Sequence, residues 1–155
     1  MNRKIILAAR PNGPPKEENF KLIKEKARLP NDGEVLCKTL YLSLDPYMRG
    51  RMNADKSYAK PVQVGEVMEA GGVSVVIESK SPNYKTGDFV VGRTGWQETP
   101  TIDATMLRKL TPDSAPISTA IGVLGMPGTT AYVGMKNIAQ PKAGETLVVA
   151  AASGA

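Results

Sequence analysis

Three stretches of the chain carry side chains or backbone suited to chemistry on a bound small molecule. In "LSLDPYMRGRM" (Leu42 to Met52), Asp45-Pro46 favours a turn, and Tyr47 offers a ring face and a phenolic hydroxyl beside the cationic Arg49 and Arg51. The same residues also suit a plain strand end with an ion pair from Asp45 to a nearby arginine. In "GMPGTTAYVG" (Gly125 to Gly134), Met126 and Ala131 suit a core, while Thr129 or Thr130 suits a helix cap. The third stretch, "ETLVVAAASGA" (Glu145 to Ala155), is an apolar strand-length run, Thr146 to Ala151, leading into the small residues Ala152, Ser153, Gly154 and Ala155. A tight turn after a strand lets backbone N–H groups and the next helix N-terminus meet a pyrophosphate, which excludes large side chains. Small residues at a strand end are also a common packing feature, so this loop alone is a weak signal.

Composition removes other chemistries. Histidine is absent and Cys37 is the single cysteine. A Ser-His-Asp or Cys-His nucleophile pair cannot be built, nor a zinc site of His and Cys ligands, nor an internal disulfide. One thiol is compatible with a reducing compartment, and the N-terminal apolar run is too short for a secretory signal or a membrane span, so a cytoplasmic protein is expected. The net charge of +5 raises nucleic-acid binding. The distribution argues against it: in "KEENFKLIKEKAR" (Lys16 to Arg28) the two signs alternate as on a solvated face, and one Trp, five Tyr and two Phe leave little to stack on bases.

The elements that must position these residues are mostly strands. At 155 residues, 41% apolar and 23% charged, the chain is long enough for one domain with a real core. Twelve prolines and fifteen glycines divide it into short segments. Strand character falls on Lys4–Ala8, Glu34–Leu42, Val73–Ile77, Asp88–Val91 and Ala104–Leu110, with turn signals at Pro30-Asn31-Asp32-Gly33, Gly71-Gly72 and Lys85-Thr86-Gly87-Asp88. This spacing suggests a β-barrel or sandwich. In "EVLCKTLYL", alternation puts Val35, Cys37, Thr39 and Tyr41 on one face, so Cys37 reads as a packed residue rather than a nucleophile. After Leu124 the character changes. Pro127 suits a first helical turn, Ala131, Met135 and Ile138 share a face, and Pro141 stops the helix. A mainly β region, 1–124, is expected to pass through a linking helix into the first strand of an α/β unit, 125–155.

Four segments in this order, "LSLDPYMRGRM", "GDFVVG" (Gly87 to Gly92), "GVLGMPGTTAYVG" (Gly122 to Gly134) and "KAGETLVVAAASGA" (Lys142 to Ala155), resemble the N-terminal half of a medium-chain dehydrogenase/reductase. The similarity is to the zinc-independent branch of prostaglandin and leukotriene reductases, plant 2-alkenal reductases and bacterial curcumin or alkenal reductases. The resemblance implies a GroES-like, partly open β-barrel followed by a truncated Rossmann domain whose dinucleotide loop is of the type A-x-x-G-x-x-G. It implies that Tyr47 borders the substrate, that Met126 and Thr130 line a nicotinamide site, and that Ser153, Gly154 and Ala155 belong to the cofactor loop. The slots that carry metal ligands in zinc-dependent relatives fall near Leu42 and Ser43, which disfavours zinc.

The implied reaction is NADPH-dependent reduction of the C=C bond of an enal or enone, with hydride delivered to the β-carbon and the enolate stabilised by hydrogen bonds. No residue is assigned as the obligatory acid, and the choice of NADPH over NADH rests on the resemblance. A homodimer is compatible with the full-length form. Two alternatives stay open: a quinone reductase of the same superfamily, and a stand-alone GroES-like interaction module whose exposed strand edges dock on a partner. The 155 residues alone are expected to be catalytically inactive.

Overall fold

The computed structural model describes residues 1–55 and 57–150. Among these, seven strands form: β1 (Asn2–Leu7), β2 (Phe20–Glu25), β3 (Glu34–Leu42), β4 (Gly71–Ser79), β5 (Phe89–Arg93), β6 (Thr101–Asp103) and β7 (Leu107–Leu110). Two α-helices, α1 (Tyr47–Arg51) and α2 (Met126–Val133), complete the regular structure, together with short 3-10 turns. No helix of the described residues is long and apolar enough to cross a membrane.

Five strands form one antiparallel sheet in the order β6-β3-β4-β5-β7, and β1 pairs antiparallel with β2. The stretch from Trp96 to Pro100 joins the two ladders. Ile5 N–H donates to the Trp96 carbonyl (2.8 Å) and Glu98 N–H to Arg3 (2.9 Å), while Thr39 N–H donates to Glu98 (2.8 Å) and Cys37 N–H to Pro100 (2.9 Å). Hydrogen bonding therefore runs from β2 through β1 and this stretch to β3 and on to β7, curling the sheet into a partly open barrel. Inside it, Val35, Cys37, Val76, Val90 and Ala104 form one buried cluster and Leu7, Met52, Val62 and Met68 another, with Phe20 stacked on Trp96 at 5.4 Å beside the second.

In the first half of β3 the face expected to pack does so, with Val35 and Cys37 fully buried, but Leu36 from the opposite face is buried as well, so burial does not alternate there. Register shifts between Leu36 and Cys37 and between Thr39 and Tyr41 interrupt its pairing with β4, and Tyr41 is exposed. Other expectations need correction. The charged side chains of Lys16–Arg28 are exposed, as expected of a solvated face, but the stretch also holds an unexpected strand, Phe20–Glu25, paired to β1. Only Leu107–Leu110 of the segment Ala104–Leu110 is a strand: the Asp103 carboxylate accepts from Thr105 N–H (2.8 Å) and its hydroxyl (2.7 Å), holding Ala104–Met106 in a 3-10 turn. Gly71-Gly72 opens β4 itself, opposite Arg93 and Gly92 of β5.

The expected linking helix starts at Met126, is α-helical to Val133, and passes into a π-helical stretch Gly134–Ala139 that ends at Gln140 in the left-handed region (φ 47°). No α2 residue is buried, and Thr129 and Thr130 do not cap it, because Gly125 holds the N-cap position. The apolar run from Thr146 forms no strand up to Ala150. It has no ladder partner among the described residues, and Leu147, Val148 and Val149 are exposed.

Candidate functional site

The turn signal Asp45-Pro46 is also a helix start. Pro46 has helical dihedrals (φ −56°, ψ −31°) and lacks the N–H that a first turn leaves unpaired, so Tyr47–Arg51 coils into α1 rather than ending a strand. The Ser43 hydroxyl donates to the Asp45 carboxylate (3.0 Å), and the alternative reading of an Asp45–arginine ion pair finds no such pair among the described residues. Arg49 instead ties α1 to the N-terminal loop, donating to the Gly13 carbonyl (2.8 Å) and to Asn53 Oδ1 (2.6 Å). Met48 and Met52 are buried, and the Val62 N–H donates to the Arg51 carbonyl (2.9 Å). These contacts fix the face of α1 that carries Tyr47 and Arg51.

That face forms one wall of an open cleft of about 480 Å³. The opposite walls come from the start of β4, the end of β5 and the segment from Ala120 to Pro127, with Tyr58 at the side. Two glycine contacts make this shape possible. A Cβ on Gly92 would lie 2.5 Å from Leu107 Cδ2 and 2.9 Å from the Met106 carbonyl, and one on Gly128 would overlap the Val123 carbonyl. The first lets β5 and β7 close beside the cleft. The second lets α2 begin against Val123, in the segment that follows the 3-10 turn Ile117–Ile121.

Arg51 is buried at 7% exposure, with Nε 2.6 Å from Glu69 Oε1 in an ion pair. Its guanidinium carbon lies 4.8 Å from the Tyr58 ring centroid and 5.6 Å from that of Tyr47. Burial, with Glu69 and Asp45 adding negative charge, raises the Tyr47 phenol above its usual value against the opposing pull of Arg93 and Arg51. Tyr47 therefore keeps its proton at neutral pH and faces the cleft as a hydrogen-bond donor. Arg93 lines the same cleft and makes no ion pair among the described residues.

Of the residues singled out in the sequence, Tyr47 and Met126 come together in this cleft. Thr130 lies one turn along α2, outside the lining, and its hydroxyl donates to the Met126 carbonyl (2.8 Å). Ser153, Gly154 and Ala155 lie outside the described residues. Sequence reasoning missed Glu69, Tyr58, Arg93 and Ile121. None stands in a local pattern of its own, since each reaches the cleft or its border only through tertiary folding. Ser43 reaches the cleft, and among the described residues no group of three or more His, Cys, Asp or Glu side chains could hold a metal ion. Cys37 sits in the barrel core, where burial pushes its thiol up to about 11, as befits a packing residue.

Several known proteins similar to this chain are reductases. The NADPH-dependent curcumin reductase of Escherichia coli (strain K12) is 52% identical over 153 residues, covering 99% of this chain and 44% of the relative. The 2-alkenal reductase (NADP(+)-dependent) of Nicotiana tabacum is 42% identical over 159 residues, covering 99% and 46%. The crystal structure of CurA in complex with NADPH from Vibrio vulnificus superposes with a TM-score of 0.88 at 47% identity, covering 98% of this chain and 45% of that one. The chain thus spans less than half the length of these relatives. Residues 3–110 match the family described as the N-terminal domain of oxidoreductase. Together with the GroES-like, partly open barrel, these likenesses make the chain a member of that family, within the zinc-independent branch of the medium-chain dehydrogenase/reductases.

Proposed function

We propose that this chain is the N-terminal, substrate-binding part of an NADPH-dependent oxidoreductase that reduces the C=C bond of α,β-unsaturated aldehydes or ketones. The observation that carries the reading is the cleft, which joins a protonated Tyr47 and Met126 on a barrel 52% identical to the matched part of a curcumin reductase. Its wall of Val91, Ile121, Met126 and Pro127 suits the flat, largely apolar face of a nicotinamide ring. Met126 is the candidate contact to that ring. Thr130 shapes the site through the Met126 backbone, and Ser153, Gly154 and Ala155 are the candidate pyrophosphate loop. The cofactor, when bound, supplies hydride.

This chain's part is to orient the unsaturated substrate and exclude water from it. In this reading the Tyr47 hydroxyl, at the cleft wall, donates to the substrate carbonyl, where negative charge develops as hydride adds to the β-carbon. The reading extends to a cytoplasmic enzyme, homodimeric in its complete form, that takes a small molecule and neither nucleic acid nor membrane as its partner. Sedimentation of the complete enzyme at twice the protomer mass checks the dimer.

The reading is tested in the complete enzyme, by kcat/KM for a 2-alkenal against a quinone. A preference for the alkenal is expected, and a clear preference for the quinone sinks the proposal in favour of a quinone reductase. Tyr47→Phe in the same enzyme removes one hydrogen bond to the substrate and lowers kcat/KM for the alkenal by about three- to tenfold. An unchanged value removes Tyr47 from the site.

A further inference from the structure

Arg51 is a buried charged side chain at the cleft with donors left unmade. Although its Nε lies 2.6 Å from Glu69 Oε1, the contact is not aligned as a hydrogen bond, and Nε and Nη1 are both buried without a partner among the described residues. Indeed, the guanidinium donates no hydrogen bond to any described residue. A guanidinium carries five N–H donors, and leaving them unmade in a buried position is costly enough that most such groups have a partner in the working state. The side chain nevertheless lines the cleft, flanked by the Tyr47 and Tyr58 rings.

We propose that the Arg51 guanidinium is a second oxyanion-binding donor of this cleft, joining the Tyr47 hydroxyl on the carbonyl oxygen of an unsaturated ligand and holding it more tightly as it becomes an enolate. The chemistry rests on the reductase reading above. When hydride from a reduced nicotinamide adds to the β-carbon, the C=C π pair becomes the new C=C of an enolate, and the carbonyl π pair moves onto oxygen. A proton added at the α-carbon completes the reduction. A donor that binds the enolate better than the carbonyl lowers the barrier of the hydride step.

The surroundings of Arg51 suit that difference. Glu69 offsets its formal charge, so the pair does not require a full anion in the ground state, and the ion pair and flanking rings hold the guanidinium in place. Arg93, without an ion-pair partner among the described residues, adds positive potential at the lip. Asp45, the carboxylate lining the cleft, is occupied by the Ser43 hydroxyl.

The test uses 4-nitrophenol, whose phenolate absorbs in the visible while its neutral form does not, titrated with the chain itself. A site built for an enolate binds the phenolate in preference. The pKa of the bound nitrophenol is then expected to fall by about one unit, a tenfold preference. Arg51→Lys keeps a cation against Glu69 but loses the planar fork, and is expected to abolish the shift at an unchanged melting temperature. Should that variant unfold, the paired Arg51→Met, Glu69→Gln change removes both buried charges together and makes the same prediction. Arg93→Gln removes only the added potential at the lip and retains most of the shift.

An unshifted pKa in the parent chain, a shift that survives the loss of Arg51, or a shift lost with Arg93 instead overturns the assignment. Because neither cofactor nor turnover enters this measurement, its failure is distinct from failure of the reductase reading. A chain that lowers the nitrophenol pKa while the complete enzyme ignores alkenals keeps Arg51 as an oxyanion donor for another substrate class.

Discussion

Glu34, at the head of β3, shows how a single side chain carries pH dependence into the fold. Arg28 donates to both its oxygens (2.6 and 2.7 Å) and the Asn31 N–H adds a third hydrogen bond (2.8 Å). Arg28 first and Asn31 second hold its carboxyl at about 2 rather than the usual 4.5. A depressed folded-state value means stability that is present above 4.5 and is lost as pH falls through 2. Asp88, Glu98 and Asp103 are lowered as well and add in the same sense. Urea midpoints are therefore expected to fall as pH drops across that window. Arg28→Gln should raise Glu34 in an NMR titration and flatten its share of the slope. At the same scale, Cys37 has both burial and a raised thiol value against reaction, so iodoacetamide should label it at least about tenfold more slowly in the native chain than in urea. Equal rates would contradict a closed core.

Elements depend on contacts that a residue type alone does not announce, and the glycines show this well. Gly92 and Gly134 look alike in the sequence. A Cβ on Gly92 runs into β7, while one on Gly134, in helical backbone, meets nothing within 4 Å. Gly92→Ala is expected to cost about 1–3 kcal/mol by overpacking. Gly134→Ala should instead stabilise by about 0.4–1 kcal/mol by restricting the unfolded chain. Two denaturation curves check the pair, and the same sign for both would refute the packing described for β5 and β7. The strands that were legible shared a cause: β3 and β4 are long, rich in β-branched and apolar residues, and buried enough that pattern and packing agree. Exposed β2 carries its charges on both faces, so only its pairing with β1 makes it a strand. Asp45-Pro46 was ambiguous for a different reason, since one proline geometry serves both a turn and the first turn of a helix.

At the scale of the whole molecule, apolar side chains concentrate on the surface late in the chain. Val123, Leu124, Met126, Tyr132, Ile138 and the run Leu147–Val149 are all exposed. In the proposed complete reductase these residues pack within or against the dinucleotide-binding part, and the cleft, open on one side, becomes the space between two domains. The 155-residue chain alone is accordingly expected not to consume NADPH with an enal, because half a cleft cannot orient hydride donor and acceptor together. Enal-dependent oxidation of NADPH that scales with the concentration of the purified chain would overturn this.

The sequence by itself determined the mainly β barrel, the exclusion of imidazole chemistry, the packing role of Cys37 and the family. These rest on residue types, on period-2 patterning and on motif order, which are local or countable along the chain. It also pointed to Tyr47 and Met126. Tertiary structure alone decided that Arg51 pairs with Glu69 rather than Asp45, and that Tyr58, Arg93 and Ile121 border the same space as Tyr47. The physical reason is separation. The walls of the cleft come from segments that meet only when the curled sheet folds α1 and the start of α2 against its open side, and no short-range pattern records a meeting made by sheet closure.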